Sequence, residues 1–150
     1  MRKHICLILT ASLMLLMCGC GKKSEIVNSD LAYKLNSEFT FAEPLTELDD
    51  YAAQKRYGIS TGDYTELTAF AGTKGVCDEF LIVKTSAPED MVAALTEYLQ
   101  KKASDYEKYR PAEVAKLNSA VIEQYKGTVT MIVAADTDAV RELYSDYLKK

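Results

Sequence analysis

The chain has 150 residues, a formal net charge of −4, one histidine, four cysteines and no tryptophan. That length builds one domain around one core. An acidic balance without a stripe of Lys or Arg excludes phosphate-backbone recognition, so no nucleic-acid partner is expected.

Arg2, Lys3 and His4 make a cationic start, and Ile5 to Met17 carries no charge. A run of that length suits the hydrophobic region of a leader and is too short to span a bilayer. Met17-Cys18-Gly19-Cys20 closes it and resembles the lipobox of bacterial lipoproteins, with cleavage after Gly19 and lipid on Cys20. A diacylglycerol thioether with palmitate-type acyl chains, joined in many bacteria by an N-acyl chain, anchors stably, each buried CH₂ contributing about 0.8 kcal/mol. Residues 1–19 are therefore expected to be removed, 20–28 to form the lipidated cysteine and a short tether, and 29–150 a single domain. The expected location is the outer face of the cell membrane.

Processing at Cys20 also discards Arg2, Lys3, Cys6, Cys18 and the single histidine. Without imidazole, Ser-His-Asp and Cys-His catalysis and His-ligated zinc or copper are excluded. With Cys20 in lipid, Cys77 is left without a partner for an intradomain disulfide or a cysteine cluster for zinc. No cofactor and no metal are expected. Gly72-Thr73-Lys74-Gly75 lacks the spacing of a nucleotide-binding loop.

The first folded element is a predicted helix over 29–36, with Ser29 as N-cap and Leu31 and Leu35 on one face. Phe39-Thr40-Phe41 alternates like a short extended piece bounded by Pro44. A second helix is predicted over 47–57, with Thr46 and Asp49 in the capping-box relation and Gly58 as its stop. Strands follow over 64–71 and 79–85. The second of these is apolar on both faces, as a central, doubly covered strand would be.

Ser86-Ala87-Pro88-Glu89 predicts the next helix, with Ser86 as cap and Glu89 completing a capping box. Met91, Leu95, Tyr98, Leu99 and Tyr106 give it a buried stripe. Arg110-Pro111 ends it, and a short helical turn through Val114 and Leu117 follows. Strands over 121–125 and 128–134 flank Lys126-Gly127 as a hairpin. A last helix over 136–148 buries Val140, Leu143, Tyr144 and Tyr147.

These elements predict an α+β fold: one or two N-terminal helices, then an antiparallel four-stranded sheet with helices mainly on one face. Phe80 to Leu99 aligns without gaps on Val129 to Leu148, which suggests a ββα-ββα pseudo-repeat. Tyr57-Gly58-Ile59 after an acidic helix, Gly75 before Asp78-Glu79-Phe80, Tyr106 to Pro111 leading into Leu117-Asn118-Ser119-Ala120-Val121, and the Lys126-Gly127 hairpin together resemble a family. It is the set of small lipoproteins of Firmicutes, Gram-positive bacteria, catalogued as domain of unknown function 4358. The resemblance covers about Asp30 to Tyr147 and implies an extracytoplasmic, membrane-held domain, without a known reaction. Cys77 stands where such sequences usually carry a small apolar residue.

Asp78 and Glu79, at a loop-to-strand junction, suit either a basic ligand or cation, or backbone N–H groups beside a glycine turn. Tyr57, Tyr64, Tyr109 and Tyr125 lie near loops and element ends and complete a candidate binding surface. Tyr98, Tyr106, Tyr144 and Tyr147 fall on helical stripes expected to be buried, and Cys77 reads as a buried structural thiol. Asp49-Asp50 and Glu89-Asp90 occupy first helical turns, where the helix dipole favours carboxylates, and Lys101-Lys102 reads as a cationic helix end. No catalytic residue is assigned. The expected function is a non-enzymatic binding or adaptor lipoprotein, anchored through Cys20, that serves an envelope protein or an extracellular solute. The alternative is an envelope hydrolase working with carboxylates.

Overall fold

The computed structural model describes residues 25–73 and 75–149, so the leader, Gly19 and Cys20 lie outside the described residues. The chain runs α1 (Asn28–Glu38), β1 (Thr46–Glu47), α2 (Asp50–Tyr57), β2 (Glu66–Ala71), β3 (Glu79–Lys84), α3 (Pro88–Tyr106), α4 (Pro111–Asn118), β4 (Val121–Tyr125), β5 (Thr128–Val133) and α5 (Thr137–Lys149), with a 3₁₀ turn at Thr61–Asp63. The fold is α+β, and its strands form one antiparallel sheet in the order β1-β2-β3-β5-β4.

Five strands replace the four expected. The addition is β1, whose Thr46 and Glu47 pair with Ala71 and Phe70. Thr46 is therefore a strand residue and not a cap; α2 starts at Asp50, where Asp49 accepts the Ala52 N–H at 2.7 Å. Two residues carry no periodicity for a pattern to reveal.

Strand β3 is central, as its apolar run predicts: Phe80 pairs with Phe70 and Ile132, and Leu81 with Ala69 and Met131. Alternation sends Leu81, Val83, Val129, Met131 and Val133 to one face, where α2, α3 and α4 supply Tyr57, Leu95, Leu99 and Leu117. Phe80, Ile82 and Ile132 face the other way, against Leu31 and Leu35 of α1 and Val140, Tyr144 and Tyr147 of α5. Helices thus cover both faces, α2, α3 and α4 one and α1 and α5 the other, which corrects the expectation of helices mainly on one face. Strands apolar on both sides leave no face for water.

The order strand, strand, helix does recur, as β2-β3-α3 and β4-β5-α5. A two-fold axis that exchanges antiparallel neighbours such as β3 and β5 stands normal to the sheet and keeps both helices on one side. With α3 and α5 on opposite faces, no such symmetry relates the two halves.

Two caps also differ from the sequence pattern. Helix α1 starts at Asn28, ahead of Ser29, with Val27 at the N-cap, and the buried Asn28 side chain donates from Nδ2 to the Ile82 carbonyl of β3 at 3.1 Å. The Tyr147 hydroxyl binds Val27, accepting from its N–H at 3.1 Å and donating to its carbonyl at 3.2 Å. Ile26 and Asn28, assigned to the tether by sequence, are accordingly buried parts of the domain. At α3, Ala87 takes the N-cap position in place of Ser86, its N–H held by Thr85 Oγ1 at 3.0 Å. Among the described residues, no helix is long and apolar enough to cross a membrane.

Candidate functional site

Glu79 opens β3 and its side chain is 0 % exposed. A buried carboxylate is tolerated only when paired and hydrogen-bonded. Two helices on the same side supply the partners. From α2, Arg56 Nε donates to Glu79 Oε2 at 2.6 Å, and the Tyr57 hydroxyl reaches the same oxygen at 3.4 Å. From α3, Lys102 Nζ and the Tyr98 hydroxyl donate to Oε1 at 2.7 and 2.8 Å. Lys102 also donates to the Tyr98 oxygen at 3.0 Å, which binds the cluster across one turn of helix.

The electrostatics follow from this geometry. Burial, reinforced by the Glu79 charge, pushes the Tyr57 and Tyr98 phenols well above their ordinary value and keeps them neutral donors. Burial works against the Arg56 charge, but Glu79 more than offsets it and raises the guanidinium pKa further. Two cations thus share one carboxylate, and the cluster holds an excess positive charge.

That excess faces a cleft of about 480 Å³ lined by Arg56, Thr73, Tyr98, Lys101, Lys102 and Tyr106. Exposure rises outward from Glu79, to 10 % for the Lys102 side chain and 30 % for Arg56. Asp105 is the carboxylate on its described wall. The rim is fixed as well: Glu43 accepts the Thr73 N–H, the Gly72 N–H donates to the Asp78 carbonyl at 2.9 Å, and Arg110 holds the Gly75 carbonyl at 2.5 Å.

Asp78 serves a second cluster. At 1 % exposure, it accepts the Ala42 N–H at 2.6 Å and pairs with Lys116 of α4 at 2.8 Å. Glu113 takes the other side of Lys116 at 3.1 Å and accepts the Cys77 N–H at 2.8 Å. Burial opposes the Lys116 charge, but its hydrogen bonds to Asp78 and Glu113 prevail and raise its pKa. Cys77 is buried between these clusters, where loss of solvent pushes its thiol up to about 11. It is a protonated core residue.

The binding surface drawn from sequence does not assemble. Asp78, Glu79 and Tyr57 are buried. Tyr64 is half-buried and receives the Gln54 Nε2 at 2.6 Å, Tyr125 is half-buried at the end of β4, and Tyr109 is 80 % exposed in the loop after α3. Tyr144 and Tyr147 are core residues, as their stripe predicts, but Tyr98 and Tyr106 line the cleft. Lys101 and Lys102 are not at a helix end; they lie in the second half of α3 with a further turn beyond them. In the sequence, the site is marked by the pair Tyr98 and Lys102, four apart and one step off the apolar stripe through Leu95 and Leu99. Arg56 had no signal of its own.

Chemically, Glu79 is saturated with donors and shielded from solvent, and it fixes two cationic heads at the floor of an open cleft. No group of His, Cys, Asp and Glu among the described residues is arranged to hold a metal ion. No curated protein and no solved structure matches the chain. The family model described as Domain of unknown function (DUF4358) matches residues 39–134, from the segment before β1 through β5, and the chain belongs to that family.

Proposed function

We propose that the protein is a non-enzymatic binding module, held on the outer face of the cell membrane by lipid on Cys20, which takes up an extracellular solute in the cleft between α2, α3 and the loop after β2. One observation carries the binding reading: the cleft floor is a preorganised set of donors around Glu79, with that carboxylate itself out of reach. A hydrolase of the two-carboxylate kind needs both groups accessible in one pocket. Here the described wall offers Asp105.

The cleft also favours a solute over an adaptor surface. The exposed large apolar residues Val27, Tyr33, Tyr51 and Tyr109 come from α1, α2 and two connecting segments, and a docking face needs a contiguous patch of several hundred Å². The leader sequence and Cys20 support the anchor. Fractionation of cells carrying Cys20→Ala tests it: the variant should leave the membrane fraction, and its retention there would overturn the lipid assignment. For the module itself, melting of the detergent-solubilised chain with extracellular solutes should reveal a stabilising compound that is recovered unchanged. Recovery of that compound as hydrolysis products would replace the binding reading with the enzymatic one.

A further inference from the structure

Resting on the binding reading, the cleft also indicates its ligand class: we propose that it binds a compact solute through an oxyanion group, carboxylate or phosphate, held by Arg56 and Lys101 over Lys102. Three observations converge. The first is charge. Arg56 and Lys102 share the one carboxylate of Glu79, so a positive excess remains after internal pairing. Lys101 adds an exposed ammonium that pairs with no acid among the described residues; Asp105 on the wall offsets part of the total, and at the rim the Glu43 carboxylate is matched in charge by Arg110. This positive wall stands in a chain of net charge −4, so it is a local arrangement and not a consequence of composition.

The second is preorganisation. Glu79 holds Arg56 through Nε, which leaves the guanidinium on the cleft wall with its side chain 30 % exposed. A guanidinium fixed in this way meets a planar or tetrahedral oxyanion without losing further side-chain freedom. Lys102, packed against Glu79 and the Tyr98 hydroxyl, supplies field at the floor, and Lys101 closes on the anion from the solvent side.

The third is shape. About 480 Å³ is within the range of small-molecule sites, roughly 300–1,000 Å³. Tyr98 and Tyr106 of α3 and Val76 of the loop after β2 add apolar surface to the lining for the body of the solute. A bare ion would leave that apolar surface unused, so the ligand is an organic anion with its charged group at Arg56.

Calorimetric titration of the full-length chain in neutral detergent tests the assignment, with citrate, inorganic phosphate, benzoate and the neutral sugar glucose as probes. At least one oxyanion should bind, and added salt should weaken it. Lys101→Glu should reduce that affinity roughly tenfold or more, the effect of losing one charge-assisted contact. Lys149→Glu, the same charge change at the exposed end of α5, should leave affinity unchanged. Because Lys101 is exposed, the variant keeps its fold, which its melting curve without ligand verifies.

Vesicles of phosphatidylglycerol distinguish the source of the group. Binding of free citrate or phosphate assigns it to a soluble solute. A Lys101-dependent response to the vesicles alone assigns the same chemistry to a lipid headgroup. Binding of glucose that Tyr106→Ala abolishes, with every oxyanion silent, would overturn the oxyanion inference and leave the binding module standing. Silence from all probes, with equal behaviour of Lys101→Glu and wild type, would overturn the inference as well. The hydrolysis assay on the stabilising solute decides the binding reading separately.

Discussion

Glu79 organises the site because the structure surrounds it with four donors from two helices and leaves it no water. Removing one member of a buried ion pair costs about 3–5 kcal/mol when the partner is stranded. Here the stranded partners are Lys102 at 10 % and Arg56 at 30 % exposure, so solvent screens part of the loss. Glu79→Gln, which keeps the shape and the hydrogen-bonding oxygen, should therefore lower stability by about 2–3 kcal/mol in urea unfolding. Arg56→Gln leaves Lys102 on the carboxylate and should cost about 1 kcal/mol. Equal losses from the two variants would show that Glu79 is not the hub. The Asp78-Glu79 pair stands out in the sequence as two carboxylates at a strand start; the covering helices decide what it does. Arg56 and Lys102 lie 23 residues away on either side, and only the packing of α2 and α3 against β3 brings them together.

At the scale of the elements, periodicity made the long pieces legible and chain ends made the short ones ambiguous. The stripe of α3, the apolar run of β3 and the hairpin β4-β5 are found where alternation and helical spacing put them. Strand β1 was invisible because its two residues owe their conformation to β2, and the caps expected at Ser29 and Ser86 give way to Val27 and Ala87, where tertiary burial of Asn28 on the Ile82 carbonyl and the Thr85 bond to the Ala87 N–H compete with the local pattern. Where a local signal met no such competition it held. Gly58 ends α2 in the left-handed region at φ 70°, its N–H bonded to the Gln54 carbonyl at 2.9 Å. A Cβ added there meets nothing within 4 Å, so Gly58→Ala carries conformational strain alone. It should lower stability by about 1 kcal/mol, and Gly58→Asn by less, since asparagine tolerates that conformation. Urea midpoints measure both, and a neutral Gly58→Ala would mean that α2 ends in some other geometry. The effect bears on the site, because Arg56 and Tyr57 occupy the last turn that Gly58 closes.

For the whole molecule, two cores share one sheet, where the length alone suggested one core. Phe80 and Ile82 belong to the core under α1 and α5, while Leu81 and Val83, from the same strand, belong to the core under α2, α3 and α4. Neither core can be lost without freeing a strand that the other needs, so both should unfold in a single transition. They are nevertheless separate in packing, since no side chain of the sheet reaches through to the far face. Leu95→Ala, on the α3 side, should destabilise by about 3 kcal/mol, and Ile132→Val, on the α5 side, by about 1 kcal/mol. Because the two residues belong to different cores on opposite faces of the sheet, the double variant should lose their sum to within about 0.5 kcal/mol. Urea unfolding followed by far-ultraviolet circular dichroism and by tyrosine fluorescence checks both points. Coincident curves with additive losses support one cooperative unit with two independent packings. Separated curves would split the molecule into halves, and the cleft, built wholly on the α2-α3 side, would then survive the loss of α1 and α5. A single transition instead makes the Tyr147 contact to Val27, on the far side of the sheet, part of what keeps the cleft formed.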